Sequence, residues 1–82
     1  MEIRVLYFAT LRDMVGEQEE RVEVPEGATV ADLVAEIVGA YPRFREMEPS
    51  LMISVNQEYS ERGTALKEGD EVAFIPPISG GK

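Results

Sequence analysis

The chain contains no cysteine and no histidine. Without cysteine there is no disulfide, no thiolate metal site and no thiol nucleophile, and nothing marks an oxidising compartment. Without histidine the usual general base near neutral pH and the commonest metal ligand are both missing, so an ordinary serine triad cannot be assembled. These two absences argue against self-contained hydrolytic chemistry and leave no autonomous catalytic site. Basic residues are also scarce, eight against sixteen acidic ones, for a net charge of −8. Such a surface repels phosphate backbones and anionic membranes, so no nucleic acid and no membrane is expected as a partner. Two readings of the acidity fit: attraction toward a partner with a basic docking surface, or simple solubility of a small domain. No apolar run approaches the ~20 residues of a membrane span. Met1 is followed by Glu2 and a strand pattern rather than a basic segment and a long apolar stretch, so the expected location is cytoplasmic.

What remains suits one small domain. At 82 residues, with 44% apolar content, there is material for one sheet packed on one helix. A chain this short buries about 60 to 65% of its unfolded surface, so the core is small. Ile3 to Ala9 is β-branched and aromatic and reads as a buried strand. Thr10 to Val15 reads as a helical turn ended by Gly16, and Gln18 to Val24 as a half-buried strand stopped by Pro25-Glu26-Gly27. Thr29 and Asp32 form a helix-start signal. Val30, Leu33, Val34, Ile37 and Val38 then follow the spacing of an amphipathic helix that ends by Tyr41, before Pro42. Phe44 to Pro49 is a connection without a clear pattern. Ser50 to Val55 reads as a third strand, Asn56-Gln57-Glu58 as a turn, and Tyr59 to Leu66 as irregular. A turn at Lys67 to Asp70 precedes the last strand, Glu71 to Ile75. The order strand, strand, helix, strand, strand predicts an α+β, β-grasp (ubiquitin-like) domain: a mixed sheet with one main helix packed across one face. That domain spans residues 1–77, with 78–82 as a flexible tail.

The tail is the segment with chemical character. Pro76 and Pro77 lack backbone donors, so the sheet cannot continue past them. Ile78, Ser79, Gly80, Gly81 and Lys82 follow. Chain ends often fray without consequence. The alternative is that Gly80 and Gly81 fit a channel that grips both faces of a peptide and excludes any Cβ. Ordering them costs about 1 to 2 kcal/mol each, so the folded domain must contribute most of the docking energy.

The stretches LYFATLRDMVG (6–16), ATVADLVAEI (28–37), SVNQE (54–58) and LKEGDEVAFIPPISGG (66–81) resemble the MoaD-type sulfur carriers, the small subunit of molybdopterin synthase. The run GDEVAFIPPISGG is the specific part, because it joins turn, last strand, double proline and diglycine without a gap. The resemblance implies that a ubiquitin-activating-like adenylyltransferase adenylates the carboxyl of Gly81 with ATP. A sulfur donor then makes a thiocarboxylate, and the carrier docks on the large synthase subunit, with Gly80 sharing the narrow channel. No cofactor is bound by the carrier itself, and no metal is implied. Family members typically end at the second glycine, whereas here Lys82 follows and leaves Gly81 as an amide. Three explanations are open: a peptidase removes Lys82, Lys82 is foreign to the natural product, or this copy is not a working carrier.

Strand parity suggests the docking face. In the ubiquitin arrangement Ile3, Val5, Tyr7, Val72 and Phe74 point inward, and Leu6, Phe8, Ala73 and Ile75 form an exposed apolar patch leading through Pro76, Pro77, Ile78 and Ser79 to the tail. The alternative is that loops cover both faces. Glu68, Asp70 and Glu71 read as solvated turn carboxylates, Met47 and Met52 as core filling, and Asn56 as a turn residue for which the resemblance allows a tail-side role. Three functions compete: a sulfur carrier for molybdopterin or another pathway such as cysteine synthesis, a ubiquitin-like modifier joined to lysines, and an interaction module with an inert tail.

Overall fold

Alternation of large apolar residues fixes the centre of the sheet. A computed structural model describes residues 1–77. In β1 (Glu2–Tyr7), Ile3, Val5 and Tyr7 are fully buried, as are Val72 and Phe74 of the last strand, β5 (Glu71–Ile75). These two strands run parallel, with Val5 opposite Val72 and Tyr7 opposite Phe74. β2 (Glu19–Glu23) lies antiparallel on the other side of β1. β3 (Met52–Val55) lies antiparallel on the other side of β5, and β4 (Glu58–Tyr59) closes that edge. The order is β2-β1-β5-β3-β4, the expected mixed sheet with first and last strands side by side.

The crossover between β2 and β3 carries the main helix, α2 (Val30–Ala40). Its start is a full capping box: the Asp32 amide donates to Thr29 Oγ1 at 3.4 Å, and the Thr29 amide donates to Asp32 Oδ2 at 2.9 Å. Val30, Leu33, Val34 and Ile37 are buried against the sheet. Val38 is half-buried at the rim of that stripe. Tyr41 ends the helix, since Pro42 cannot follow in helical geometry. Under the helix, the rings of Tyr7, Phe44 and Phe74 form a cluster, with Phe44 edge-on to Phe74 at 5.3 Å between centroids.

Two connections and the start of β3 differ from the sequence expectation. The segment after Pro42 is ordered as a short helix, α3 (Phe44–Met47), and a 3₁₀ turn, Glu48–Ser50, because the buried Phe44 anchors it. Pro49 favours that tight turn, so β3 begins at Met52 and not at Ser50. Residues 56 and 57 have φ of 51° and 72°, the two positive angles of a type I′ hairpin turn, and this lets Glu58 and Tyr59 pair back on β3. The rest of that segment is irregular but used. The amides of Val30 and Ala31 donate to the carbonyls of Thr64 and Arg62 at 2.9 Å each, satisfying groups that the first turn of a helix leaves open.

Candidate functional site

The outer face of the sheet is divided into an apolar end and a charged end. At the charged end Arg4 lies between Glu19, at 2.9 Å, and Glu71, at 3.2 Å. About half of the Arg4 side chain is exposed, so these pairs contribute little stability. The apolar end lies where β1 and β5 finish. Phe8 is 45% exposed there, Leu6 and Ile75 are half-buried, Pro76 is half-buried and Pro77 is exposed. The apolar patch expected from parity is therefore present in these residues.

Ala73 is the exception: it is 6% exposed and does not belong to the open patch. Its single methyl stands in register between Leu6 of β1 and Ser54 of β3, in the central strand, and its neighbours cover it. Two residues instead extend the patch. Met52 pairs with Ile75 and is 45% exposed; Tyr59 pairs with Ser54 and is 74% exposed. Met52 is thus surface and not core filling, while Met47 does pack on the core. The signal for Met52 was its place two residues before Ser54 in an alternating strand, which reading methionine as core filling passes over. Tyr59 depended on recognising a two-residue hairpin.

An open groove of about 570 Å³ runs along the end of the patch. It is lined by Phe8, Ala9, Thr10, Met47, Ile75 and the two prolines. Nearly all of this lining is apolar, and it sits where the chain leaves β5. The expectations for Ile78, Ser79, Gly80, Gly81 and Lys82 concern residues outside those described.

Polar candidates from the sequence have structural partners. Asn56 lies at the beginning of β5, the end away from the tail. Its Nδ2 donates to Asp70 at 3.0 Å, and its Oδ1 accepts from the Glu71 amide at 3.0 Å, so its work is to hold the hairpin. Glu68 accepts from the Glu2 amide and Asp70 from the Lys67 amide. No group of three His, Cys, Asp or Glu suited to a metal occurs among the described residues. No helix among them is long and apolar enough to cross a membrane. On the inner side, Glu20 accepts hydrogen bonds from the hydroxyls of Tyr7, at 2.8 Å, and Tyr41, at 2.7 Å. Burial pushes the Tyr7 hydroxyl far above its ordinary value, and the bond to Glu20 adds to this. Tyr41 is raised mainly by its bond to Glu20. Sequence reasoning did not find this cluster, whose members come from three separate elements.

Residues 5–81 match the ThiS family. The molybdopterin synthase sulfur carrier subunit of Chlamydomonas reinhardtii is 45% identical, over 99% of this chain and all of that protein. The protein of the same name from Mycobacterium tuberculosis is 40% identical over 99% of both chains. Among solved structures, SAMP1 of Haloferax volcanii, a small archaeal modifier protein, superposes with a TM-score of 0.90 at 31% identity, covering 99% of this chain and all of that one. Matched along nearly its whole length in sequence and in fold, the chain belongs to the ThiS family, and within it to the ubiquitin-like proteins of MoaD type.

Proposed function

We propose that this protein is the sulfur carrier subunit of a molybdopterin synthase and that its reactive group is the carboxyl of Gly81. The observation that carries the reading is the apolar patch of Phe8, Ile75, Met52 and Tyr59 beside the point where β5 hands over to a segment containing Gly80-Gly81. Relatives at 40% identity and above bear the name of that subunit. From Ile75 the chain to Gly81 reaches at most about 20 Å, so a partner seated on the patch must have its reaction centre within that range.

The chemistry is balanced by groups on the partners. Hydrolysis of the Gly81–Lys82 peptide bond by a peptidase frees the carboxylate. An adenylyltransferase of the ubiquitin-activating kind directs that carboxylate at the α-phosphorus of ATP, and pyrophosphate leaves. Sulfide supplied by a sulfur donor attacks the acyl carbon, AMP leaves, and Gly81 ends as a thiocarboxylate. On the large subunit the sulfur passes to a pterin precursor and water restores the carboxylate. This chain contributes the acyl group, the reach and the docking face, and needs neither a thiol nor an imidazole of its own.

The test is intact mass of the chain recovered from its native cells, or after incubation in their extract, which supplies the peptidase, with the activating enzyme, ATP and a sulfide donor. The expected product has lost Lys82 and carries sulfur in place of one oxygen. A chain that keeps Lys82 and gains nothing would refute the reading. The similarity to SAMP1 favours one other outcome, an isopeptide bond from Gly81 to lysines of other proteins. It would be read as adducts that persist after reduction.

A further inference from the structure

Ala9 occupies a backbone conformation that belongs to glycine. Its φ is 53° and its ψ is −128°, a region that an L residue avoids because the Cβ crowds the backbone. Its surroundings impose the angle from both sides. Before it, the Phe8 amide donates to the Phe74 carbonyl at 3.4 Å and continues the sheet. After it, α1 (Thr10–Val15) is pinned by the fully buried Leu11. The amides of Leu11 and Arg12 donate to the carbonyls of Phe8 and Ala9, at 3.1 Å each. The chain must therefore turn from strand to helix within two residues, Phe8 and Ala9, and Ala9 takes the unusual angles.

Glycine would make this turn without crowding, yet the residue is alanine, and it lines the groove together with Phe8, Met47 and Ile75. Strain of this kind persists where the surroundings over-determine it, and it concentrates at binding sites. We propose that Ala9 is a positioning residue of the docking face: its restricted backbone and its methyl hold the Phe8 ring outward at the groove, so that the large synthase subunit meets an aromatic already in place. A glycine at position 9 leaves Phe8 and the turn free to rearrange, and that freedom is lost again on binding. The inference rests on the docking role proposed above.

The experiment compares full-length native protein, Ala9→Gly, Phe8→Ala and the double variant, in thermal unfolding and in binding to the purified large subunit. Ala9→Gly is expected to raise the unfolding midpoint by about 4 °C, because crowding is relieved, and to weaken binding about tenfold. Gain of stability with loss of affinity separates positioning from a merely structural role. In the Phe8→Ala background the affinity change on Ala9→Gly should vanish while the stability gain stays. Unchanged affinity in Ala9→Gly, a lowered midpoint, or an equal affinity loss with and without Phe8 would overturn the proposal. If the native chain itself fails to bind the large subunit, the docking role falls and the positioning role with it.

Discussion

Tyr7 stands in two environments, with its ring in the aromatic cluster of Phe44 and Phe74 and its hydroxyl on Glu20. Burial first, and Glu20 second, favour the protonated hydroxyl in the folded state. Below its ordinary value of 10.0 both states keep the proton, and this preference contributes in full. Above that value the unfolded chain loses the proton while the folded one retains it, so stability must fall as pH rises. Tyr7→Phe should therefore cost about 1 to 2 kcal/mol at pH 8 and show a shallower loss of stability between about pH 9.5 and pH 11.5. Urea unfolding of both proteins across that range measures it; identical slopes would remove Tyr7 from the account. Tyr41 is shifted in the same direction by Glu20, so some slope should remain. The inward direction of Tyr7 was legible from its alternation with Val5. Its partner was not, because Glu20 reaches it only through the pairing of β1 with β2 and carries no local sign of being more than a surface charge. Ala9 was equally hidden, since alanine has no turn signature and its unusual angle follows from neighbours on both sides.

Among elements, α2 was the most legible and the loop before β5 the least, for one physical reason. An amphipathic helix declares itself by the spacing of its own apolar residues and by a cap within three positions of its start. The loop that carries Arg62 and Thr64 declares nothing, because it works through backbone carbonyls that any residue possesses. The two together make the beginning of α2 doubly held. Loss of the cap in Thr29→Ala should destabilise the domain by about 1 kcal/mol, lowering the unfolding midpoint by about 4 to 8 °C. Exchange of the Val30 and Ala31 amides, held by the loop, should stay slow in that variant. Rapid exchange of both would mean that the side-chain cap, and not the loop, fastens this end. The shift of β3 to start at Met52 is likewise an effect of a neighbouring element: the 3₁₀ turn through Pro49 takes up Ser50.

For the whole molecule, the net charge of −8 and the segregated sheet face act on different steps of association. Charge of one sign steers partners from a distance and is screened by salt, whereas apolar contact sets how long they stay. Raising ionic strength from about 0.01 M to about 1 M shortens the screening length from about 30 Å to about 3 Å. Over that range the association rate with the large subunit should fall about tenfold or more, with the dissociation rate nearly constant. Stopped-flow binding measures both, and an association rate indifferent to salt would assign the acidity to solubility alone. Sheet order and the apolar end of the outer face were predictable from connectivity plus parity. The breadth of the patch was not, because it depends on which outer residues happen to be tall: Ala73 is overshadowed, and Met52 and Tyr59 are not.

The parallel pairing of β1 with β5 also bears on how the protein is made. The two strands at the centre of the sheet lie far apart in sequence, so the core cannot close until β5 has followed β1 off the ribosome. A product broken off before Phe74 lacks the strand that joins β1 to β3 and is left with open edges and a divided core. A folded copy therefore holds the chain at least through β5, which ends at Ile75. The topology thus ties closure of the core to the strand from which the Gly80-Gly81 segment follows in sequence.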